Sequence, residues 1–247
     1  MRLTIVGSGD AFGSGGRFNT CFHLAAVGKS FLIDCGASSH VALRVRAIDP
    51  NTIDAIVLTH LHGDHFGGIP FILIDAQYLG RRERPLTIAG PPGTRERVYA
   101  ALDVFFAASS KTQWRFPLTV FDFPVGVPTD VLGLSVTSTE VVHFSGAPST
   151  ALRITDGNSL LAYSGDTEWT EALLQVSKDA DLFIVECYEY ERALSGHMRW
   201  LTIKQRLKDF AARQVMLTHM NPNMLARIDE ARQSGVLIAE DGLTLDL

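Results

Sequence analysis

Four side chains that can bind divalent metals lie within the six residues His60-Leu61-His62-Gly63-Asp64-His65. The segment follows a predominantly apolar run, 53–58, which predicts a buried strand that ends where the histidines begin. Imidazole and carboxylate groups are ligands that zinc accepts together. Because open α/β folds keep their sites at the ends of strands, this spacing predicts a metal site at the edge of a sheet.

Three further residues of the same chemical types occur later in the chain. His143, Asp166 and His219 each end a largely apolar run and precede a predicted loop. A lone histidine in such a place is more often a satisfied core residue than a ligand. Three repetitions of one pattern favour a shared site, so all three residues are candidate metal ligands.

The composition is that of an ordinary globular protein, with 247 residues of which 46% are hydrophobic. We predict one domain over residues 1–247, because no linker, internal repeat or low-complexity tract divides the chain. The net charge of −5 argues against a large nucleic-acid surface, which would carry a basic excess. No apolar run approaches the ~20 residues of a membrane span, and no signal-peptide pattern is present. The three cysteines are irregularly spaced, which predicts free buried thiols and a cytoplasmic location: Cys21, Cys35 and Cys187.

The order of predicted elements favours an α/β fold of two sheets with helices outside. Short strands separated by glycine-rich turns are predicted in residues 1–58, and the segment 116–162 is also rich in predicted strands. Buried strands are predicted over 181–187 and 214–218. The predicted helices cover 64–79, 94–108 with Thr94 as N-cap, 169–177 and 202–213.

The spacing H-x-H-x-D-H, followed in order by His143, Asp166 and His219, resembles the metallo-β-lactamase superfamily of metal-dependent hydrolases. Further segments are similar to ribonuclease Z and its small phosphodiesterase relatives. The most specific is Pro85-Leu86-Thr87-Ile88-Ala89-Gly90-Pro91, and others are the glycine-rich start of the chain and Tyr163-Ser164-Gly165-Asp166-Thr167. The resemblance implies a four-layer αβ/βα sandwich of two mixed β-sheets flanked by helices.

The same resemblance implies a ligand set for two divalent metal ions. It assigns His60, His62 and His143 to one ion, assigns Asp64, His65 and His219 to the other, and makes Asp166 a bridge between them. Zinc suits this set, and manganese or iron would also tolerate it. Two such ions lower the pKa of a shared water, which yields a bridging hydroxide as the nucleophile.

Three catalytic candidates are Asp64, Glu186 and His197. Proteins similar to ribonuclease Z carry a Glu at the end of the strand that here ends at Glu186, and a His soon afterwards that protonates the leaving group. His197 is therefore the candidate general acid, and Glu186 is the residue that would orient it. The family follows this His with Ser-Thr or similar, whereas Met198-Arg199-Trp200 follow it here. Arg199 is the candidate phosphate ligand.

The substrate is expected to be a small phosphodiester. Bacterial ribonuclease Z inserts its tRNA-binding arm between the residues that match His143 and Asp166, which here are only 23 positions apart. Long RNA is therefore not expected as a partner. Lactone, carboxylic ester or aryl sulfate hydrolysis at the same site stays open, as does a non-enzymatic, metal-dependent binding role. A homodimer is compatible with the sequence.

Overall fold

The computed structural model describes residues 1–247 and contains two mixed, seven-stranded sheets. In chain order the strands are β1 (Arg2–Gly7), β2 (Cys21–Ala26), β3 (Lys29–Ile33), β4 (Ala55–Val57), β5 (Leu86–Gly90), β6 (Leu118–Asp122), β7 (Thr129–Val131), β8 (Leu134–Glu140), β9 (Thr150–Thr155), β10 (Leu160–Tyr163), β11 (Leu182–Glu186), β12 (Val215–Thr218), β13 (Leu237–Ile238) and β14 (Thr244–Asp246). One sheet has the order β14-β1-β2-β3-β4-β5-β6, and the other has the order β13-β12-β11-β10-β9-β8-β7.

Helices lie beside both sheets. The α-helices are α1 (Ser39–Val45), α2 (Gly63–Phe66), α3 (Ile69–Ile74), α4 (Thr94–Phe105), α5 (Ala172–Ser177), α6 (Trp200–Arg206), α7 (Pro222–Leu225) and α8 (Ile228–Gln233). Three short 3-10 turns and one π-helical turn complete the elements: Ser14–Gly16, Pro50–Thr52, Ser109–Lys111 and Asp75–Leu79. None of the helices has the length and apolar character that a membrane crossing requires.

Three apolar cores account for the layers. The largest holds 22 buried side chains between the sheets, including Phe22 and Phe31 from the first sheet and Tyr163 and Ile184 from the second. The other two lie on the outer faces, under the helices. The predicted α/β sandwich of two mixed sheets flanked by helices is confirmed. The three cysteines are buried and unpaired, as predicted.

Strand direction brings the candidate ligands to one edge. Strands β3, β4 and β5 are parallel neighbours in the first sheet, and β10, β11 and β12 are parallel neighbours in the second. Strand β9 is antiparallel to both β8 and β10, so β8 runs in the same direction as β10. The loops that carry the candidate ligands therefore follow carboxyl ends of strands, where open α/β folds keep their sites.

Several predicted helix boundaries were wrong. The predicted helix 64–79 is divided into α2, α3 and a π-helical turn, because Pro70 lies in the first turn of α3 and has no N–H for an unbroken helix. Gly93, in the left-handed conformation, precedes α4 in place of the predicted N-cap Thr94, whose hydroxyl donates to Pro91 O. The predicted helix 169–177 begins only at Ala172, and the predicted helix 202–213 instead covers Trp200–Arg206.

Candidate metal centre

The loop after β4 and the short helix α2 present four of the predicted ligands. His60 and His62 lie in the loop, and Asp64 and His65 lie in the single turn of α2. The close approach of α2 to the neighbouring loop depends on Gly36, where a Cβ atom would lie 2.1 Å from Asp64 O. The loop thus presents His60 and His62 to one group of ligands, and the short helix presents Asp64 and His65 to another.

The first group consists of His60, His62 and His143, whose ligand nitrogens lie within 4.8 Å of one another. His143 Nδ1 donates to the carbonyl of Gly196 at 2.7 Å, which leaves a lone pair on its Nε2. That Nε2 lies 2.9 Å from His62 Nδ1. The structure therefore brings these three histidines together, although 81 positions separate His62 from His143.

The second group consists of Asp64, His65, Asp166 and His219. His219 Nε2 lies 3.2 Å from Asp64 Oδ2, and His65 Nε2 lies 3.5 Å from the same oxygen. Asp166 extends from the loop after β10, and its oxygens lie 3.3 Å from His65 Nε2 and 3.4 Å from His219 Nε2. All seven predicted metal ligands consequently lie in one cluster.

Asp166, a member of the second group, also lies next to the first. Its Oδ2 atom is 4.0 Å from His60 Nε2 in the first group and 3.4 Å from His219 Nε2 in the second. The preceding Gly165 has a φ of 58°, and a Cβ there would lie 2.7 Å from Thr150 O, so this tight turn requires glycine. The turn places the Asp166 carboxylate within reach of both ligand groups.

The donor atoms fit divalent metal ions. His60 Nε2, His65 Nε2 and Asp166 Oδ1 are buried and have no hydrogen-bond partner. An unpaired buried polar atom costs about 1–3 kcal/mol, which a coordinated cation would offset. Imidazole nitrogens and carboxylate oxygens at these positions form the mixed donor set that zinc, and also manganese or iron, accepts.

The charges around these atoms are strongly coupled. Burial lowers the pKa of His60 well below its ordinary value, so this imidazole is neutral and can coordinate. Burial also lowers the pKa of His65, but three carboxylates outweigh it and raise that pKa well above its ordinary value: Asp166, Asp64 and Asp34. Burial raises the pKa of Asp64, but the neighbouring His65 and His219 outweigh that effect and hold the pKa below its ordinary value. Protons and cations therefore compete for the second group.

Asp34, immediately after β3, is a residue of the site that the sequence analysis missed. It is fully buried, and its oxygens accept hydrogen bonds from Thr59 N, Thr59 Oγ1 and His65 Nδ1, each at 2.8 Å. Its φ of 56° is in the left-handed region, which is strained for a residue other than glycine. A carboxylate on the far nitrogen of a ligand histidine fixes its tautomer and orientation. The signal in the sequence was an aspartate directly after the apolar run 31–33.

The predicted acid lies beside the two groups. His197 Nδ1 is 3.1 Å from Glu186 Oε2, at the end of β11, and 4.0 Å from Asp166 Oδ2. Tyr188, also missed in the sequence, stacks on the His197 ring with a centroid distance of 4.7 Å. Burial raises the pKa of Glu186. Burial lowers the pKa of His197, but the Glu186 carboxylate outweighs that effect and raises it.

Arg199 is placed differently from a free phosphate ligand. Its Nη1 donates to the carbonyl of Glu191 at 2.8 Å, and its Nε donates to Thr202 Oγ1 at 3.0 Å. Both contacts lie within its own loop and the first turn of α6. A role for Arg199 in binding phosphate would use only the remaining part of its guanidinium group.

Comparison with known proteins defines the family. The family model described as "Anti-Pycsar protein Apyc1" matches residues 1–241. The chain belongs to this family. The probable metallo-hydrolase YhfI of Bacillus subtilis (strain 168) is 28% identical over 228 residues, which cover 89% of this chain and 87% of that protein. Ribonuclease Z of Mycobacterium sp. (strain KMS) is 29% identical over 175 residues, which cover 68% of this chain and 61% of that enzyme.

Solved structures have the same fold. The crystal structure of YhfI superposes with a TM-score of 0.80 at 23% identity and covers 99% of both chains. The short form of human tRNase Z has a TM-score of 0.76 at 24% identity and covers 100% of this chain and 99% of its own. The predicted resemblance to the metallo-β-lactamase superfamily is confirmed. This member of the Apyc1 family is a metal-dependent hydrolase that uses divalent metal.

Proposed function

We propose that this protein, as one catalytic domain over residues 1–247, is a phosphodiesterase that uses two divalent metal ions to hydrolyse small substrates. The observation that carries the proposal is the meeting of two ligand groups at one carboxylate, Asp166. His60, His62 and His143 would hold one ion, and Asp64, His65 and His219 would hold the other. When bound, the pair supplies activated water and stabilises the negative charge that develops during attack on phosphorus.

The remaining residues supply a proton for the leaving group. An alkoxide or a basic phenoxide needs a proton as its bond to phosphorus breaks, and His197 lies beside both ligand groups. The Glu186 carboxylate accepts the Nδ1 proton of His197, so Nε2 is the nitrogen left to give a proton to the leaving group. The stacked Tyr188 ring limits rotation of the imidazole. Glu186 itself accepts the backbone N–H of Thr167, so its orientation is fixed in turn.

Two observations support a phosphodiester and a small substrate. Relatives include ribonuclease Z, whose name describes phosphodiester cleavage in RNA. The interval between His143 and Asp166 contains a short loop over 144–149, then β9, β10 and their turn, so no arm for holding tRNA projects there. The acidic chain also lacks the basic excess of a protein that binds long RNA.

The test combines metal content with turnover. The purified protein would be loaded with zinc or manganese, its metals counted per chain, and its turnover measured on bis(p-nitrophenyl) phosphate, a lactone and an aryl sulfate. We expect about two metals and diester turnover, with both reduced in Asp64→Ala. His197→Ala should keep its metals and lose about 10²–10⁴ in rate on diesters with a basic leaving group, and much less on bis(p-nitrophenyl) phosphate, whose leaving group is stable without a proton.

A matched control is His23→Ala, because His23 hydrogen-bonds Ser30 within the first sheet, away from the ligand groups. It should retain both metal content and rate. Turnover of the lactone or sulfate alone would refute the phosphodiester assignment. Less than one metal per chain after loading would refute the ligand set.

A further inference from the structure

The carboxylate of Glu168 joins two loops of the site. Glu168 lies two residues after Asp166, is half-buried, and faces the loop that carries His197. Its Oε1 accepts hydrogen bonds from Gly196 N at 2.7 Å and from Ser195 Oγ at 3.3 Å. Nothing in the ligand set or in the proposed acid pair accounts for this contact.

The backbone of Glu168 is itself held by the loop that carries His143. Its N–H donates to the carbonyl of Val142 at 3.0 Å, and the adjacent Thr167 Oγ1 accepts the N–H of Val142 at 3.0 Å. The segment after Asp166 is therefore paired with the residue that precedes His143. Two hydrogen bonds therefore connect the loop of Asp166 to the loop of His143.

Gly196 completes the connection. Its carbonyl accepts the Nδ1 proton of His143 at 2.7 Å, and the next residue is His197. Its φ is 82°, and a Cβ would lie 3.0 Å from His143 Nδ1, so this close approach needs glycine. One glycine is thus held by Glu168 on its N–H side and by His143 on its carbonyl side.

The loop between β11 and α6 has no regular secondary structure near His197. No strand or helix occurs between Glu186 and Trp200, and the regular pairing is limited to isolated bridges at Glu189↔Arg199 and Leu194↔His197. We infer that Glu168 is a positioning residue, which holds Gly196 so that His197 faces the leaving group of a substrate bound at the ligand groups. This inference rests on the proposed function, because it concerns His197 as the acid.

The expected effect is selective for leaving groups. A displacement of about 1 Å in a catalytic group can cost about 10²-fold in rate. A misplaced acid lowers the rate of hydrolysis more as the leaving group becomes more basic. A stable phenoxide departs without a proton, whereas a basic phenoxide does not. A general loss of fold or metal would instead lower the rate for every substrate alike.

The experiment measures kcat/KM for a series of bis(aryl) phosphates of increasing phenol basicity, from p-nitrophenyl to unsubstituted phenyl, at saturating zinc or manganese. Glu168→Ala should change the p-nitrophenyl rate by less than about 3-fold and lower the phenyl rate by about 10-fold or more. Glu168→Gln keeps an oxygen acceptor for Gly196 N and should restore most of that loss. Adding Glu168→Ala to the His197→Ala variant should have little further effect, because both residues act on the same proton transfer.

Asp103→Ala is the matched control. Asp103 accepts the N–H and hydroxyl of Ser110 at 2.9 and 2.6 Å, the same kind of turn contact, but on an exposed surface away from the site. It should leave the dependence on leaving group unchanged. An equal loss for all leaving groups in Glu168→Ala, or no rescue by Glu168→Gln, would overturn the inference.

The two failures are distinguishable. A His197→Ala enzyme with the same leaving-group dependence as the wild type would contradict the assignment of His197 as acid and, with it, this inference. A steeper dependence in His197→Ala but not in Glu168→Ala would contradict only the role of Glu168. If Glu168→Ala does not fold, Glu168→Met, which keeps most of the side-chain volume and removes the acceptor for Gly196 N, takes its place, and an unchanged dependence in that variant would count against the inference.

Discussion

Replacing Asp34 by Asn is expected to weaken binding of both metal ions without changing a ligand. Asp34 accepts the N–H and hydroxyl of Thr59 and the Nδ1 proton of His65, all at 2.8 Å. Having donated its proton to Asp34, Thr59 Oγ1 can accept the Nδ1 proton of His60 at 3.0 Å. One carboxylate therefore leaves Nε2 unprotonated on a histidine of each ligand group.

Asparagine has the same shape as aspartate but presents N–H donors where one oxygen stood. If the amide oxygen stays on Thr59 N, the NH₂ group faces Thr59 Oγ1 and His65 Nδ1. The proton of His65 then moves to Nε2, and the Thr59 hydroxyl donates to His60, whose proton moves likewise. Loss of such support costs about 10–100-fold in metal affinity, or about 1.4–2.7 kcal/mol for each ion.

The assay is competition for zinc against a chromophoric chelator. We expect two affinities weakened by about 10–100-fold in Asp34→Asn. Thr59→Val should weaken mainly the ion held by His60, since it breaks the relay and leaves the bond between Asp34 and His65. The control Asp54→Asn alters another largely buried carboxylate, which accepts Ser30 N at 2.9 Å and touches no ligand. A folded Asp34→Asn protein with wild-type affinity at both sites would refute the tautomer argument.

Two further predictions concern stability. Removing metal with a chelator should lower the Tm, because ions at 100 times their Kd stabilise the fold by about 2.7 kcal/mol per site. The Tm would be measured by scanning calorimetry. A Tm that does not rise when zinc is restored would contradict the metal site. Burial raises the pKa of Glu189, but hydrogen bonds from Asn221, Arg192 and Asn223 outweigh it and lower that pKa to about 2. A carboxyl whose pKa is lowered on folding stabilises the fold at any pH above its unfolded-state pKa, and this contribution is lost as the pH falls from about 4.5 to about 2. Glu189→Gln should therefore reduce the free energy of unfolding at pH 7 and make that free energy fall less steeply in acid. Urea titration at several pH values measures both effects.

The strand ends and their ligand types were predictable because a buried strand is a run of apolar residues that can be seen in the local sequence. An apolar run followed by His or Asp marks the edge of a sheet, and His60, His143, Asp166 and His219 all follow such runs. The grouping of these residues came from a resemblance, and the structure places them together. Whether they bind metal stays a prediction.

Contacts between residues far apart in the chain were not predictable in this way. Asp34 acts on His65, and Glu168 acts on Gly196, across 31 and 28 positions. Neither partner is visible in the local sequence. The elements after His219 were not predicted either, since α7, α8 and β13 are short and their pairing depends on distant strands.

The division of the ligands between the two sheets has a consequence for the order in which the protein matures. The first four ligands are neighbours on the chain, but Asp64 meets His219 only across 155 positions. If these residues bind metal as proposed, the early histidines would meet a cation during synthesis before the later groups emerge, and that cation would be held by few donors. Full affinity is reached only after both sheets have docked, so tight metal retention would report a completed fold and a half-made chain would exchange its metal freely.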